Sequence, residues 1–154
     1  MTDRSDAVAE LVARDQVREA ATRLFVHTDA RDWPAVRACF ADTVLFDMQS
    51  LTGAPPTEVA ADEIVSGWRQ GLQALQAVHH QVGNFLITLS GTGADVSCHG
   101  IASHYLENPS GRNTRVFVGT YRLHLIPRDG AWRIDRFAFT LKYLDGNPNL
   151  ESTA

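Results

Sequence analysis

The sequence predicts one α+β domain in which helices come first and a meander of β-strands follows. Two observations predict this order. Up to about residue 75, apolar side chains recur at steps of three and four residues, the spacing of one helix face. After residue 76 they alternate with polar side chains, the spacing of a strand. A chain of 154 residues has the length of one domain, so residues 1–154 are expected to share one core, with loose tails at 1–7 and 148–154.

The first helix is predicted over residues 5–29, which contain neither glycine nor proline. A second, shorter helix is predicted over residues 33–41. Asp32 can cap its N-terminus, and Pro34 lies in the first turn, where a missing N–H removes no helical hydrogen bond.

A strand and a loop are predicted before the third helix. Residues 43–48 (TVLFDM) are mostly β-branched and aromatic, which favours a strand. Residues 49–57 (QSLTGAPPT) contain glycine and paired prolines, which favour a loop. The third helix is predicted over residues 58–75, where apolar side chains return to helical spacing.

Four long strands are predicted in the second half of the chain. The breaks between them (SGTG, NPSG and DG) are rich in turn-forming residues and indicate hairpins. Strands joined by hairpins are antiparallel, so the four are expected to form a curved sheet with helices on one face. The predicted strands are 77–89, 95–107, 114–127 and 131–144.

Composition excludes several classes of protein. A net charge of −4 argues against a nucleic-acid binder, which needs a basic surface to neutralise phosphates. No apolar run approaches the roughly 18 residues that cross a bilayer, and the N-terminus lacks the apolar stretch of a secretory signal. Cys39 and Cys98 are too few for a disulfide scaffold. We therefore expect a cytoplasmic protein that binds neither nucleic acid nor membrane.

The predicted inner face of the sheet combines small and aromatic side chains. Cys98, Gly100 and Ala102 make the middle of one strand unusually small. Space beside aromatic residues can form a ligand cavity, but a helix side chain such as Trp68 can also fill it, and alternation favours neither outcome.

At most two of the six histidines can face the interior. His79 and His80 are adjacent in a strand, so only one of them points inward. A lone inward histidine is either a hydrogen-bonded core residue or a catalyst. An iron site made by His80, His104 and a carboxylate is conceivable, but nothing in the spacing requires it, and motifs such as HExxH and CxxC are absent. We therefore predict no metal and no cofactor.

Seven short stretches of the chain resemble a known family. They resemble the SnoaL-like branch of the nuclear transport factor 2-like superfamily and, within it, scytalone dehydratase and hexachlorocyclohexane dehydrochlorinase. The resemblance covers about residues 8–147 and implies a cone-shaped barrel of a curved, mostly antiparallel sheet wrapped by three N-terminal helices. The stretches are 28–33 (TDARDW), 36–40 (VRACF), 46–47 (FD), 80–84 (HQVGN), 119–121 (GTY), 129–134 (DGAWRI) and 142–147 (KYLDGN).

The resemblance implies a catalytic dyad and a substrate pocket. The dyad consists of Asp29, at the end of the first helix, and His80, at the start of the first long strand. His80 would abstract a proton from carbon, and Asp29 would fix its tautomer and stabilise the imidazolium. The pocket combines positions implied by the resemblance with residues expected on apolar faces: Trp33, Phe46, Met48, Trp68, Ala102, Phe117, Phe137, Phe139 and Leu141.

The chain departs from the dehydratase at two positions. That enzyme uses two tyrosines to hold a water at the substrate carbonyl, and those positions correspond to Thr28 and Met48. Neither residue can replace a phenol, so the substrate is not expected to be scytalone. Tyr121 or His104 would then supply the missing hydrogen bond.

Three functions follow from this resemblance. The first is a cofactor-free lyase or isomerase acting on a small apolar, cyclic metabolite. The second is a binding or scaffold domain like the small subunit of ring-hydroxylating dioxygenases, dependent on a large iron-bearing partner. The third is a polyketide cyclase. Apolar residues outside the sheet, including Val116, Val118 and Ile126, predict a homodimer or homotrimer.

Overall fold

The computed structural model describes residues 4–152. Helices and strands alternate irregularly over the first half, and four strands make up the second half. In chain order the elements are α1 Arg4–Ala30, α2 Trp33–Cys39, β1 Phe40–Asp47, α3 Gln49–Thr52, β2 Thr57–Ala60, α4 Ala61–Gly71, β3 Ala77–Leu89, β4 Ala94–Tyr105, β5 Thr114–Arg128 and β6 Ala131–Gly146.

The strands form one mixed sheet in the order β2-β1-β6-β5-β4-β3. The four hairpin-linked strands are antiparallel neighbours, as the turn signals predict. β1 joins them as a parallel neighbour of β6, and β2 pairs antiparallel with β1. The α+β class and the mostly antiparallel sheet are therefore confirmed. Instead of closing into a barrel, the sheet is open, with β2 and β3 at its edges.

Helix α1 packs its inward stripe against the sheet, chiefly against β3, and it also packs against α2. Val17, Ala21, Leu24 and Phe25 are buried along this stripe, at the helical spacing that the sequence shows. Helix α2 begins as predicted, because the Asp32 side chain accepts a hydrogen bond from the N–H of Ala35.

The segment predicted as a loop and the start of a helix has more structure than expected. Residues Gln49–Thr52 form the single-turn helix α3, and Thr57–Ala60 form strand β2. Helix α4 therefore begins at Ala61 rather than at residue 58. Pairing with a neighbouring strand decides the difference, because Val59 lies opposite Val44 of β1 and the β-branched residues here favour extended backbone.

The C-terminal segment, residues 147–152, is docked on the domain. Leu150 is fully buried and packs with Leu75 and Val78. The side-chain amide of Asn108 donates hydrogen bonds to the carbonyl oxygens of Leu150 and Ser152, each at 3.0 Å. The expectation of a loose tail is therefore wrong for residues 148–152. Residues 4–7 form the exposed first turn of α1, while residues 1–3 and 153–154 lie outside the described residues.

The outer face of the sheet carries exposed apolar side chains. Leu86 is 74% exposed and Ile101 is 45% exposed, while Val116, Val118 and Ile126 are half-buried. The homodimer or homotrimer expected from this face stays a prediction. Among residues 4–152, no helix is both long and apolar enough to cross a membrane.

Candidate active site

A cavity of about 230 Å³ lies between the inner face of the sheet and helices α1 and α4. His80, His104 and Tyr121 bring polar atoms to its walls, which are otherwise mainly apolar. A few polar groups converging in an apolar cavity are typical of small-molecule sites. Six of the predicted pocket residues line it: Met48, Trp68, Ala102, Phe117, Phe137 and Phe139.

Asp29 and His80 are joined by two hydrogen bonds. The Nδ1 atom of His80 lies 2.6 Å from Oδ1 of Asp29, and the backbone N–H of His80 donates to Oδ2 at 2.8 Å. Both side chains are mostly buried, with exposed fractions of 13% for His80 and 19% for Asp29. The two contacts fix the carboxylate and the ring together, so their relative orientation is set before any ligand enters.

The position of Asp29 explains why it needs these partners. It lies in the last turn of α1, where the helix dipole disfavours negative charge. The N–H groups of His80 offset this effect. The carboxylate engages Nδ1, so the other ring nitrogen, Nε2, is the atom that can exchange a proton with a ligand. Nε2 has no hydrogen-bond partner among residues 4–152.

Alternation along β3 separates the two adjacent histidines. The side chain of His79 is 76% exposed, whereas His80 lines the cavity. The resemblance selected the same residue as the inward one.

His104 faces the cavity from β4. Its Nδ1 atom lies 3.1 Å from Nη2 of Arg115, and its ring meets Phe117 edge-on at 5.3 Å between centroids. Burial, followed by the positive charge of Arg115 and the nearby His80, lowers the pKa of His104 from 6.5 to about 4. Neutral imidazole is therefore the form present at neutral pH.

Tyr121 presents a phenol to the same cavity. Its ring is 5% exposed and packs between Phe25 and Phe139, with both centroid distances at 4.7 Å. Burial raises the pKa of Tyr121, so the hydroxyl remains a hydrogen-bond donor. It has no hydrogen-bond partner among the described residues.

The space beside the small residues of β4 is partly filled by another side chain and partly left as cavity. A methyl group at Gly100 would lie 2.1 Å from Cε2 of Tyr121, so the tyrosine ring occupies the space that the glycine leaves. Ala102, two residues along, lines the cavity instead. Trp68 also lines the cavity, so it borders this space and does not fill it.

Three of the predicted pocket residues do not line the cavity. Phe46 stacks on Phe137 at 5.4 Å between centroids, and of these two rings it is Phe137 that lines the cavity. Leu141 lies beyond Phe139 on β6, where the register with β5 shifts. Trp33 begins α2 and packs against the main core. Alternation gives the face of a strand but not the distance along it at which a cavity ends.

Sequence reasoning missed other lining residues, on α1, α3 and α4. Phe25 lies four residues before Asp29 on the same face of α1, so the dyad position itself could have indicated it. Thr28, which the resemblance places at a tyrosine position of the dehydratase, also lines the cavity. Leu51 and Leu72 lie at the ends of short elements whose position the sequence does not fix. The hydroxyl of Thr28 donates to the carbonyl of Leu24 at 2.7 Å.

A larger groove, of about 720 Å³, lies between α1, α2 and the β5–β6 hairpin. Its walls include Arg23, Glu19 and Cys39, but Glu19 is paired with Arg23, and burial raises the pKa of the Cys39 thiol to about 11. Its described residues include no histidine paired with a carboxylate, as His80 is with Asp29, so the smaller cavity is the better candidate site. In the part of the chain that the structure describes, no three His, Cys, Asp or Glu side chains converge on a metal position.

A family model matches most of the chain. The SnoaL-like domain model matches residues 9–138. The chain belongs to the SnoaL-like family. A search of curated proteins found no match to it.

Several solved structures have the same fold as this chain. This SnoaL-like chain is similar to a protein of Kribbella flavida, with a TM-score of 0.82, 23% identity, and coverage of 90% of this chain and 94% of that one. A candidate scytalone dehydratase of Novosphingobium aromaticivorans gives a TM-score of 0.78 at 18% identity, covering 90% of both chains. A hexachlorocyclohexane dehydrochlorinase of Novosphingobium barchaimii gives 0.73 at 12% identity, covering 93% and 95%. At these identities the likeness establishes the fold.

Proposed function

We propose that this SnoaL-like protein is a cofactor-free lyase or isomerase in which His80 abstracts a proton from carbon. The observation that carries the proposal is the 2.6 Å contact between His80 Nδ1 and Asp29 Oδ1. A carboxylate on one ring nitrogen orients the other as a base and stabilises the imidazolium once the proton has moved. A dehydratase candidate and a dehydrochlorinase among the similar structures support the same class of reaction.

The cavity supports a small, mainly apolar substrate. Its volume of about 230 Å³ lies below the roughly 300–1,000 Å³ typical of ligand pockets, which favours a molecule of one or two rings. Aromatic side chains of β5 and β6, including Phe117 and Phe137, supply flat walls that suit a cyclic compound.

The proposed step balances without a cofactor. The carbon–hydrogen electron pair forms a new double bond as the proton moves to Nε2 of His80. In an elimination the leaving group departs with its bonding electrons, and in an isomerisation the proton returns to another carbon. Tyr121 and His104 can donate hydrogen bonds to oxygen atoms of the substrate, taking the place of the tyrosines that Thr28 and Met48 replace.

A screen for hydrogen–deuterium exchange at carbon tests the proposal without a known substrate. Cyclic ketones, hydroxyketones and chlorinated cyclohexanes are incubated in D₂O, and exchange or elimination is followed by NMR. For an active compound, His80→Gln and Asp29→Asn are each expected to lower the rate by about 10²–10⁴-fold, because each removes the oriented base.

His99→Gln is the matched control, since it removes an exposed histidine of β4 whose ring contacts Asn84 and neither touches Asp29 nor lines the cavity. It is expected to keep the wild-type rate. Exchange that survives His80→Gln unchanged contradicts the proposal. Failure of every compound, together with copurification of a large partner in equal amount, would favour the scaffold function.

A further inference from the structure

A guanidinium connects the cavity to the C-terminal segment. Nη2 of Arg115 donates to Nδ1 of His104 at 3.1 Å. The same side chain donates from Nη1 to Oε2 of Glu151 at 2.8 Å and from Nη2 to Oε1 at 2.6 Å. Both carboxylate oxygens are therefore engaged by one planar fork.

Arg115 is held in place on several sides. Its side chain is 14% exposed, and its guanidinium lies 5.5 Å from the centroid of the Phe117 ring. Nη1 also donates to the carbonyl oxygen of Pro148 at 3.3 Å. Two of these partners, Pro148 and Glu151, belong to the C-terminal segment, whose position Leu150 fixes by burial. The arginine is thus oriented by a part of the chain that the dyad does not touch.

The direction of the Arg115–His104 bond defines a tautomer. A guanidinium only donates hydrogen bonds, so Nδ1 of His104 must accept, and the proton of the neutral ring must be on Nε2. Nε2 has no hydrogen-bond partner among residues 4–152. In residues 4–152, Nε of Arg115 is the only side-chain nitrogen or oxygen that is inaccessible to solvent and also lacks a partner. Because Nε2 of His104 lacks a partner too, it must be accessible. It is open to the cavity that the ring lines.

The surrounding charges keep this ring neutral. Arg115 on β5 and His80 on β3 oppose a positive charge on His104, and burial opposes it more strongly. Glu151 of the C-terminal segment and Asp29 of α1 act in the other direction. The net effect is the pKa of about 4, so the Nε2–H form persists from neutral pH down to about pH 5.

We propose that Arg115, oriented by Glu151, is a positioning residue that fixes His104 as a neutral Nε2–H donor for an oxygen atom of the substrate. This inference rests on the proposed function and narrows it. A neutral N–H donor strengthens its hydrogen bond as negative charge develops on a carbonyl oxygen, which assists proton removal by His80. The substrate is accordingly a cyclic ketone or hydroxyketone, because a purely halogenated ring offers this donor no comparable acceptor.

The ¹⁵N chemical shifts of the histidine rings test the assignment. His104→Gln identifies the His104 signals, which in the wild type are expected to show an Nε2–H neutral ring from pH 7 to pH 5. Arg115→Met is expected to shift the His104 titration upward toward its ordinary pKa and to mix the two tautomers. Arg115→Lys keeps the charge but loses the fork, so it is expected to mix the tautomers while protonation stays suppressed.

Arg112→Met is the matched control. It removes a nearby exposed arginine that donates to the carbonyl of Gly146 and does not contact His104. It is expected to leave the His104 spectrum unchanged. An Nδ1–H or charged His104 in the wild type overturns the proposal even if the Arg115 variants fail to fold, and so does a wild-type tautomer in a folded Arg115→Met protein.

Cyclohexanone and methylenecyclohexane test the acceptor. They share the six-membered ring, and the carbonyl oxygen of the ketone is replaced by a CH₂ group in the alkene. The ketone alone is expected to shift the Nε2–H signal of His104, and equal or absent shifts overturn the ligand assignment. These spectra are independent of turnover. If exchange survives His80→Gln but the tautomer holds, the proposed function is wrong and the positioning role stands. If exchange depends on His80 but the tautomer differs, Arg115 has no part in the mechanism and the dyad remains.

Discussion

Single residues decide how Tyr121 reaches the cavity. The absence of a side chain at Gly100 lets the phenol ring lie directly on the neighbouring strand, in a space where a methyl group would be 2.1 Å from Cε2. Phe25 and Phe139 hold the ring from either side. Packing therefore fixes the position of the tyrosine ring, and its hydroxyl is positioned without a hydrogen bond to a described residue.

Gly100→Ala is expected to lower the free energy of unfolding by about 1–3 kcal/mol, because the added methyl group overpacks the core. Gly83→Ala on β3 is the control, since nothing lies within 4 Å of the added atom. Urea denaturation of both variants measures the difference. Equal stabilities for the two would contradict the packing of Tyr121 on Gly100.

Individual site residues differ in how far sequence reveals them. Alternation excludes one of His79 and His80 from the interior, and the resemblance names His80, because strand periodicity and a short motif are both local signals. Arg115 gives no such signal. Its contacts with His104 and Glu151 span 11 and 36 residues, and a charge on a strand is ordinarily a solvated one.

At the scale of elements, local chemistry predicts hairpins well and terminal segments poorly. Turn residues at 129–130 specify the β5–β6 hairpin from within a few positions. Strand β2 and the C-terminal segment instead depend on partners far along the chain, such as β1 for Val59 and the Leu75 side chain for Leu150. Polar composition favours a tail, but the buried Leu150 and hydrogen bonds from Asn108 and Arg115 dock the segment on the domain.

Leu150→Ala is expected to lower the free energy of unfolding by about 2–4 kcal/mol, since it empties a fully buried site. Leu86→Ala, at a position that is 74% exposed, is the matched control and is expected to change stability by less than about 0.5 kcal/mol. Chemical denaturation compares the two. A loose C-terminal segment would make both substitutions equally mild.

The molecule as a whole is expected to lose stability in mild acid. The pKa of His104 is 6.5 in the unfolded chain and about 4 in the folded one. Between these two values the unfolded chain binds a proton that the folded chain does not bind. Stability therefore declines as pH falls from about 6.5 to about 4. Glu151 adds to the loss at lower pH, because its hydrogen bond to Arg115 lowers its pKa from 4.5.

The free energy of unfolding, measured by urea denaturation between pH 7 and pH 4, is expected to decrease on the order of 1–3 kcal/mol because of His104. This is less than the full linkage value, because the ring is partly exposed. His104→Gln removes this titration, so its pH dependence over the same interval is expected to be shallower. A variant with the same slope as the wild type would assign the acid sensitivity elsewhere.

The two oxygens of Asp29 have different consequences for how the chain can diverge. One oxygen binds the ring of His80 and the other its main-chain N–H, so the same carboxylate ties α1 to β3 whether or not the ring is present. A descendant without the proposed chemistry would still gain stability from an aspartate at this position and none from the basicity of the ring. For the function proposed above, the identity of residue 80 is therefore a sharper marker among relatives of this protein than the identity of residue 29.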